Sequence, residues 1–520
     1  MEFKRSAGIL LHPTSLPGPY GIGDLGENAY KFADFLREAG QTLWQVFPLG
    51  PTGYGDSPYQ CFSAFAGNPL LISPDLLAEE GLLSKADLEQ KPEFNLYKIN
   101  YGKVIDFKKS LLKKAYEKYI SNGKIFNKEC GKFCSENEFW LEDFATFMAL
   151  KDFHGGVQWS EWEKEFAFRK EPALTEWKNK HQKEIDYYRF TQYLFFKQWK
   201  KLKDYTNGQG IKIIGDLPIF VAYDSSDVWA NKALFSVDEK TGKLETVAGV
   251  PPDYFSPTGQ LWGNPLYRWD KMEKNNFRWW KQRMKKMYQL VDIVRIDHFR
   301  GFDAYWEIPG DAETAVNGKW VKAPGKKLFT EIMNEFGDVP ILAEDLGVIT
   351  ESVEELRDSF GFPGMKILQF AFGPAGDKNF LPHNYVRNCV VYTGSHDNDT
   401  TRGFFEKEKE KKSGIYEWTQ KYLNYDGDNI CFALIHLAYS SVANIVIIPM
   451  QDILNLGSEA RMNFPGKPDG NWQWRFTWEQ IHPEVTNIYK EMTEIFERPP
   501  QAKRKFDEIE VTENKEVKND

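Results

Sequence analysis

The chain has 520 residues, 42% hydrophobic and 27% charged, a composition that buries a large core and excludes disorder as the main state. Lys and Arg number 66 against 75 Asp and Glu, a net charge of −9, which excludes a nucleic-acid binder working through a basic field. Five cysteines are odd in number and too sparse for a disulfide framework, so they read as free thiols in a reducing, cytoplasmic compartment.

From the N-terminus, the first apolar run stops at His12-Pro13, too short for a secretory signal. Apolar, β-branched runs then recur between helical stretches: Ala7–Leu11, Leu43–Leu49, Ile211–Val221, Val291–Phe299, Val339–Leu346, Met365–Phe372, Cys389–Thr393 and Asn444–Met450. Runs of this length suit strands buried on both faces of a parallel sheet. Eight of them, with helices between, predict an α/β fold of the (β/α)8 TIM-barrel type. About 160 residues separate the second run from the third. The expected organisation is a catalytic barrel over 1–500, interrupted by a loop-rich and helical insertion at 50–210 and a second insertion at 222–290. Residues 501–520 carry 5 basic and 6 acidic groups and read as a solvated, disordered tail. The apolar stretch from Cys431 to Met450 is interrupted by His436, Ser440, Ser441 and Asn444. It predicts a buried helix and a strand rather than a membrane span.

The run Gly21-Ile22-Gly23-Asp24-Leu25-Gly26 matches the dinucleotide fingerprint G-x-G-x-x-G. Prolines 13, 17 and 19 stand between the first strand and these glycines, so the tight strand-to-helix turn of that site is missing. Asp24 and Glu27 read instead as a D-x-x-E cap on the following helix.

Barrel chemistry sits at the C-terminal ends of strands. Four predicted strands end in carboxylates: Asp216, Asp297, Glu344 with Asp345, and Asp397. Arg295, His298 and His396 lie beside them. Breaking an acetal needs an acid on the leaving oxygen and a carboxylate at the developing oxocarbenium carbon. Arg295 lies two residues before Asp297, on the same face of its strand, where a guanidinium keeps Asp297 ionised for nucleophilic attack. Glu344 has no such adjacent cation and is the better proton carrier. A metal-ligand reading of the cluster lacks any specific ligand spacing. Aromatics make up 15% of the chain, with 17 Trp; they serve a large core or supply flat faces for bases or sugar rings.

At these residues the sequence resembles a known family. Arg295-Ile296-Asp297-His298, Ala343-Glu344-Asp345-Leu346-Gly347 and Ser395-His396-Asp397-Asn398 are similar to the signature blocks of the α-amylase superfamily. The segments HPTSLPGPYGIGDLG (12–26), SPYQCFSAFAGNP (57–69), GVPPDYFSPTGQLWGNPLY (249–267), GFPGMKILQFAF (361–372) and GSEARMNFPG (457–466) resemble the 4-α-glucanotransferases, or amylomaltases. The resemblance spans about residues 6–495. It implies a retaining double displacement that moves α-1,4-glucan segments between maltooligosaccharides, with starch- or glycogen-derived glucans as donors and glucose as an acceptor. It also implies that Asp297 is the nucleophile, Glu344 the general acid/base and Asp397 the transition-state stabiliser. By the same resemblance Tyr59, Asp216, Asp253, Gln260, Trp262, Arg295, His298, His396 and Asn463 contact substrate or support the carboxylates. The segment 249–267 would cover the site. No metal, organic cofactor, nucleic acid or membrane is implied.

Overall fold

The apolar runs pair because each presents β-branched side chains to both faces and leaves no polar face for water. The computed structural model of the protein describes residues 3–121, 128–252, 256–467 and 469–499. Twelve strands are formed: β1 (Ser6–Leu10), β2 (Leu43–Val46), β3 (Lys212–Pro218), β4 (Thr246–Val250), β5 (Gln260–Pro265), β6 (Ile293–Asp297), β7 (Ala304–Pro309), β8 (Lys319–Lys322), β9 (Ile341–Ala343), β10 (Gly364–Ile367), β11 (Cys389–Tyr392) and β12 (Ile445–Pro449). Eight of them, the eight expected from the sequence, form one parallel sheet in the order β10-β11-β12-β1-β2-β3-β6-β9. The seam between β9 and β10 closes through side chain as well as backbone. Ala343 N–H donates to the Pro363 carbonyl at 2.9 Å, and Met365 N–H donates to Asp345 Oδ1 at 2.7 Å. A Cβ on Gly364 would stand 2.4 Å from Asp345 Oδ2, so this seam admits only glycine there. Asp345, a strand-end acid, is thereby committed to barrel closure, with Arg357 as its ion-pair partner.

The other four strands make a separate antiparallel sheet, β5-β4-β7-β8, which the sequence reading did not anticipate. Its strands alternate with Gly, Pro and turn residues, and their short runs resemble loop sequence when read alone. Between β2 and β3 the chain forms helices, the longest being Gln182–Gly208. Its buried stripe, Ile185, Tyr188, Gln192, Phe195, Trp199 and Leu202, recurs every three or four residues, the period of one helix face. That face clamps the segment following β2. Gln192 accepts from Gly67 N–H at 2.7 Å and donates back to the Gly67 carbonyl at 2.9 Å. Gln198 accepts from Ser73 N–H at 2.7 Å. A Cβ on Gly67 would lie 1.9 Å from the Phe195 ring, so the close approach depends on its absence. The expected D-x-x-E cap is not formed. Gly26 is the N-cap of helix Glu27–Glu38 and no side chain caps it; Asp24 instead accepts from Gly26 N–H at 3.0 Å and from Lys108 Nζ at 3.2 Å. Among the described residues no helix is long and apolar enough to cross a membrane. The tail, 501–520, lies outside the described residues.

At the opposite end of the barrel from the strand C-termini, a buried arginine adds to the strand pairing. Arg498 donates to five main-chain carbonyls, those of Tyr439, Ser6, Asn444, Ser441 and Ala443, at 2.9–3.3 Å. Arg5 also donates to the Ser441, Ala443 and Tyr439 carbonyls at 3.0–3.5 Å and Ser6 N–H to that of Asn444 at 2.8 Å, so removing Arg498 takes away a buried charged donor and leaves these acceptors only partly satisfied. Arg498→Ala is expected to destabilise the fold by about 2–3 kcal/mol, measured by denaturant titration.

Candidate active site

Strand register brings the candidate residues together before any side chain chooses a rotamer. In the β3–β6 pairing Asp216 stands opposite Arg295, and Pro218 opposite Asp297. Arg295 and Asp297, two residues apart, share one face of β6. The Arg295 Nη1 group donates to both Asp216 oxygens at 2.7 and 2.6 Å and to Asp297 Oδ1 at 3.1 Å. Its Nε meets the Met365 sulfur at 3.3 Å. The guanidinium therefore occupies the position between two acids that a bound cation would take.

Tyr59 reaches this cluster from the segment clamped by Gln192. Its hydroxyl donates to Asp216 Oδ2 at 2.7 Å, and its ring stacks on His396 with centroids 4.9 Å apart and planes at 22°. Asp397 follows His396 at the end of β11. Asn463 Nδ2 donates to Asp397 Oδ1 at 2.6 Å. On β5, Trp262 meets the His298 ring edge-on at 4.8 Å and donates its indole N–H to Gln260 at 3.1 Å. Tyr59, Gln260, Trp262, Asp297, His298, His396, Asp397 and Asn463 line one groove of about 770 Å³. Asp216, Arg295 and Glu344 do not line it. Asp253 lies outside the described residues, as do Tyr254 and Phe255 of the expected cover.

Glu344 is held by the backbone. Its Oε2 accepts from His298 N–H at 2.6 Å and its Oε1 from Leu346 N–H at 2.9 Å. His298 has φ 53° and ψ 51°, a left-handed conformation that costs a non-glycine residue about 1–2 kcal/mol. That turn follows directly on Asp297, so one strained residue joins the two central acids.

The electrostatics follow from crowding. Burial pushes Glu344 up to about 7, against the pull of Arg295 and of the two backbone N–H groups. Burial also raises Asp297 well above the ordinary carboxylate range, with Asp216, Glu344 and Asp397 adding to the rise and Arg295 opposing it. Arg295 opposes the rise, as expected from its place beside Asp297, but it does not serve Asp297 alone. The guanidinium is shared, and its two shorter contacts go to Asp216. Burial pulls His298 down to about 4 and lowers His396 as well, so both rings are neutral at pH 7.

Two groove-side residues escaped sequence reasoning. Arg461 Nη2 donates to the Asp397 carbonyl at 2.5 Å and its Nε to the Asn463 carbonyl at 2.7 Å. Trp472, at φ 61°, packs its ring 5.7 Å from Tyr59 and 5.6 Å from His396. Neither follows a strand; the tryptophan is signalled only by its aromaticity, and Arg461 only by its place in the block 457–466.

A family model described as 4-alpha-glucanotransferase matches residues 11–480. The chain belongs to the 4-α-glucanotransferase family. It is 51% identical over 506 residues to the 4-alpha-glucanotransferase of Thermus thermophilus, covering 96% of this chain and 100% of that one. It is 50% identical over 502 residues to the 4-alpha-glucanotransferase of Synechocystis, covering 95% and 98%. An amylomaltase from Streptococcus agalactiae, solved in complex with acarbose, superposes with a TM-score of 0.91 at 42% identity and covers 95% of this chain and 100% of its own.

In this 4-α-glucanotransferase family member the shared guanidinium should be measurable as stability. Arg295→Met leaves Asp216 and Asp297 buried without a cation and is expected to cost about 3–5 kcal/mol at pH 7. Asp297, already raised by burial and no longer held down by Arg295, gains affinity for protons in the variant's folded state, so the deficit shrinks as pH falls and it neutralises. Urea unfolding at pH 7 and pH 5 measures it; an equal deficit at both would show that the loss is packing and not charge.

Proposed function

We propose that the protein transfers α-1,4-glucan segments between maltooligosaccharides, or to glucose, by a retaining double displacement. The observation that carries the reading is the pair of acids on neighbouring strands. Asp297 faces the groove beside a cation, and the buried Glu344 holds a proton up to about pH 7. A groove whose Trp262, Tyr59 and His396 rings flank the acids suits a chain of sugar rings. The acarbose complex of the Streptococcus agalactiae relative supports a sugar chain as the occupant of this groove. Starch- or glycogen-derived glucans are the proposed donors, and the cytoplasm the proposed compartment.

In the first step Asp297 attacks the anomeric carbon and the bond to the leaving oxygen breaks. Glu344 gives that oxygen its proton, and the reducing-end fragment departs. In the second step Glu344, now a base, takes the proton of an acceptor 4-hydroxyl, whose oxygen displaces Asp297. Each inversion is undone by the next, so the anomeric configuration is retained. Asp397, tied to Asn463, is positioned to hold sugar hydroxyls as the ring flattens. To reach a bridging oxygen Glu344 must exchange its bond from His298 N–H for the substrate, and that main-chain group marks its resting position.

Maltotriose alone tests the reading. Glucose and longer oligomers should form with no net rise in reducing ends; a rise would mean that water is the acceptor and the enzyme a hydrolase. Asp297→Asn is expected to abolish activity. Glu344→Gln should be severely impaired on maltodextrins but react with α-maltosyl fluoride, whose leaving group needs no proton, and trap a glycosyl adduct on Asp297. An adduct on Glu344 or Asp397 would reverse the assignment.

The pH profile follows with its sign. Glu344 must be protonated for the first step, so kcat/KM on maltodextrins falls as pH rises through about 7. Asp297 must be ionised, and its raised affinity for protons places the acid limb above the usual carboxylate value of about 3.9. The two interact, so the limbs belong to the pair. With α-maltosyl fluoride as donor the alkaline limb of the first step should vanish; its persistence would place that titration on another group.

A further inference from the structure

The small antiparallel sheet has one end in the groove and the other on the open surface. β5 brings Gln260 and Trp262 to the acids. β8 is the far edge, three strand steps away, a distance of about 14 Å. Between them runs a set of exposed apolar side chains joined by contacts beneath. Leu261 is exposed on β5, and the turn before it receives the Ala315 N–H at the Thr258 carbonyl, 3.1 Å. Val316, the next residue, is exposed. The Ala315 carbonyl accepts from the Trp306 indole at 2.8 Å, and Trp306 meets Trp320 edge-on at 5.2 Å. Trp320 is 39% exposed. The Arg300 guanidinium lies 3.7 Å from its centroid and also donates to the carbonyl of Val348, itself exposed. Val348 stands four residues after Glu344, so the patch returns to the barrel mouth.

The cations beside the tryptophan are engaged, Lys319 by Glu307 at 3.1 Å. Arg300 is engaged by the ring and the Val348 carbonyl, and Lys322 is paired with Asp303 at 2.9 Å. Asp303 also accepts from the Ser352 hydroxyl, at 2.9 Å. A supported indole face with a rim of hydroxyl and carboxylate groups suits a neutral polyol ring better than an anion or a lipid. Leu261 also lines the groove, so the patch and the groove share a border and the groove's proposed occupant is the polyol to expect.

We propose that Leu261, Val316, Trp320 and Val348 form an outlying holding surface for the distal part of a long linear α-1,4-glucan whose near end occupies the groove. The inference rests on the glucan-transfer reading above. Short maltooligosaccharides end before they reach Trp320, and only long chains gain from it. The surface therefore selects donor length without touching the acids.

Binding in the inactive Asp297→Asn background tests this apart from turnover. Trp320→Ala is expected to weaken the binding of linear amylose about tenfold, the scale of one lost ring stack with its buried area, and to leave maltotriose affinity unchanged. Trp320→Phe should retain most of the amylose affinity. Val316→Asp, on the exposed turn, should weaken amylose in the same direction and covers the case in which Trp320→Ala fails to fold. Unchanged amylose affinity in both Trp320→Ala and Val316→Asp overturns the proposal, and so does an equal loss for amylose and maltotriose. Sedimentation is run in parallel: a fall in oligomer mass in Trp320→Ala with unchanged amylose affinity would assign the patch to a second copy of the chain and also overturn it. The wild-type maltotriose assay is independent of these variants, so failure of glucan transfer itself is read separately.

Discussion

One guanidinium set among four carboxylates governs the site. Arg295 is fixed by strand register, not by a flexible loop, and it cannot serve every acid around it. Asp216, more deeply buried, takes the two shorter contacts and Asp297 the longer one. Negative charge is left in excess, and burial makes that excess costly. The cluster answers by holding a proton, and Glu344 takes it up to about pH 7. The proposed acid catalysis at neutral pH would in this sense be a consequence of having too few cations in a buried place. A second arginine beside Glu344 would stabilise the charges and remove the proton that the chemistry needs.

The barrel supplies the acids, and long-range clamps supply the walls. Tyr59 belongs to a segment with little regular structure, yet its hydroxyl meets Asp216 across more than 150 positions of sequence. That placement depends on the helix Gln182–Gly208, which seizes the Gly67 peptide from both sides. On the other wall Arg461 joins the Asp397 carbonyl to that of Asn463, so two loops move as one. A site assembled this way keeps its donors oriented in the absence of substrate, which is where electrostatic preorganisation has its effect.

The parts legible in the sequence are those with local causes. Eight apolar runs announced eight buried strands, because a strand covered on both faces has no alternative composition. The acids were legible because barrel topology names the strand ends as the place to look, and the family blocks then suggested a role for each. The antiparallel sheet β5-β4-β7-β8 was not legible. Its strands are stabilised by pairing with one another and by the small cluster of Val247, Ile308 and Ala315, none of which has a period of its own. Trp472 was hidden for a related reason: its ring partners Tyr59 and His396 are distant in sequence, and Arg461, although inside the block 457–466, was not singled out because its tie to the Asp397 carbonyl is visible only in the fold. The sharing of Arg295 was not foreseen because adjacency on one strand shows one partner, and the competitor, Asp216, sits on another.

Exposure grades the acids along the axis of the barrel and restricts what each can do. The Asp216 side chain is 1% exposed, that of Asp297 28% and that of Asp397 50%. A carboxylate that never meets the groove acts only through its field and its hydrogen bonds, and Asp216 orients Tyr59 and divides Arg295. One that is partly open can reach a carbon atom while still feeling the low dielectric that makes charge consequential. One at the mouth exchanges water for sugar hydroxyls at little cost and gains when a bound ring excludes the remaining water. The same gradient explains why the tie from Asn463 falls on Asp397. The outermost acid has the most freedom to lose, and it is the one whose orientation the barrel itself leaves unset.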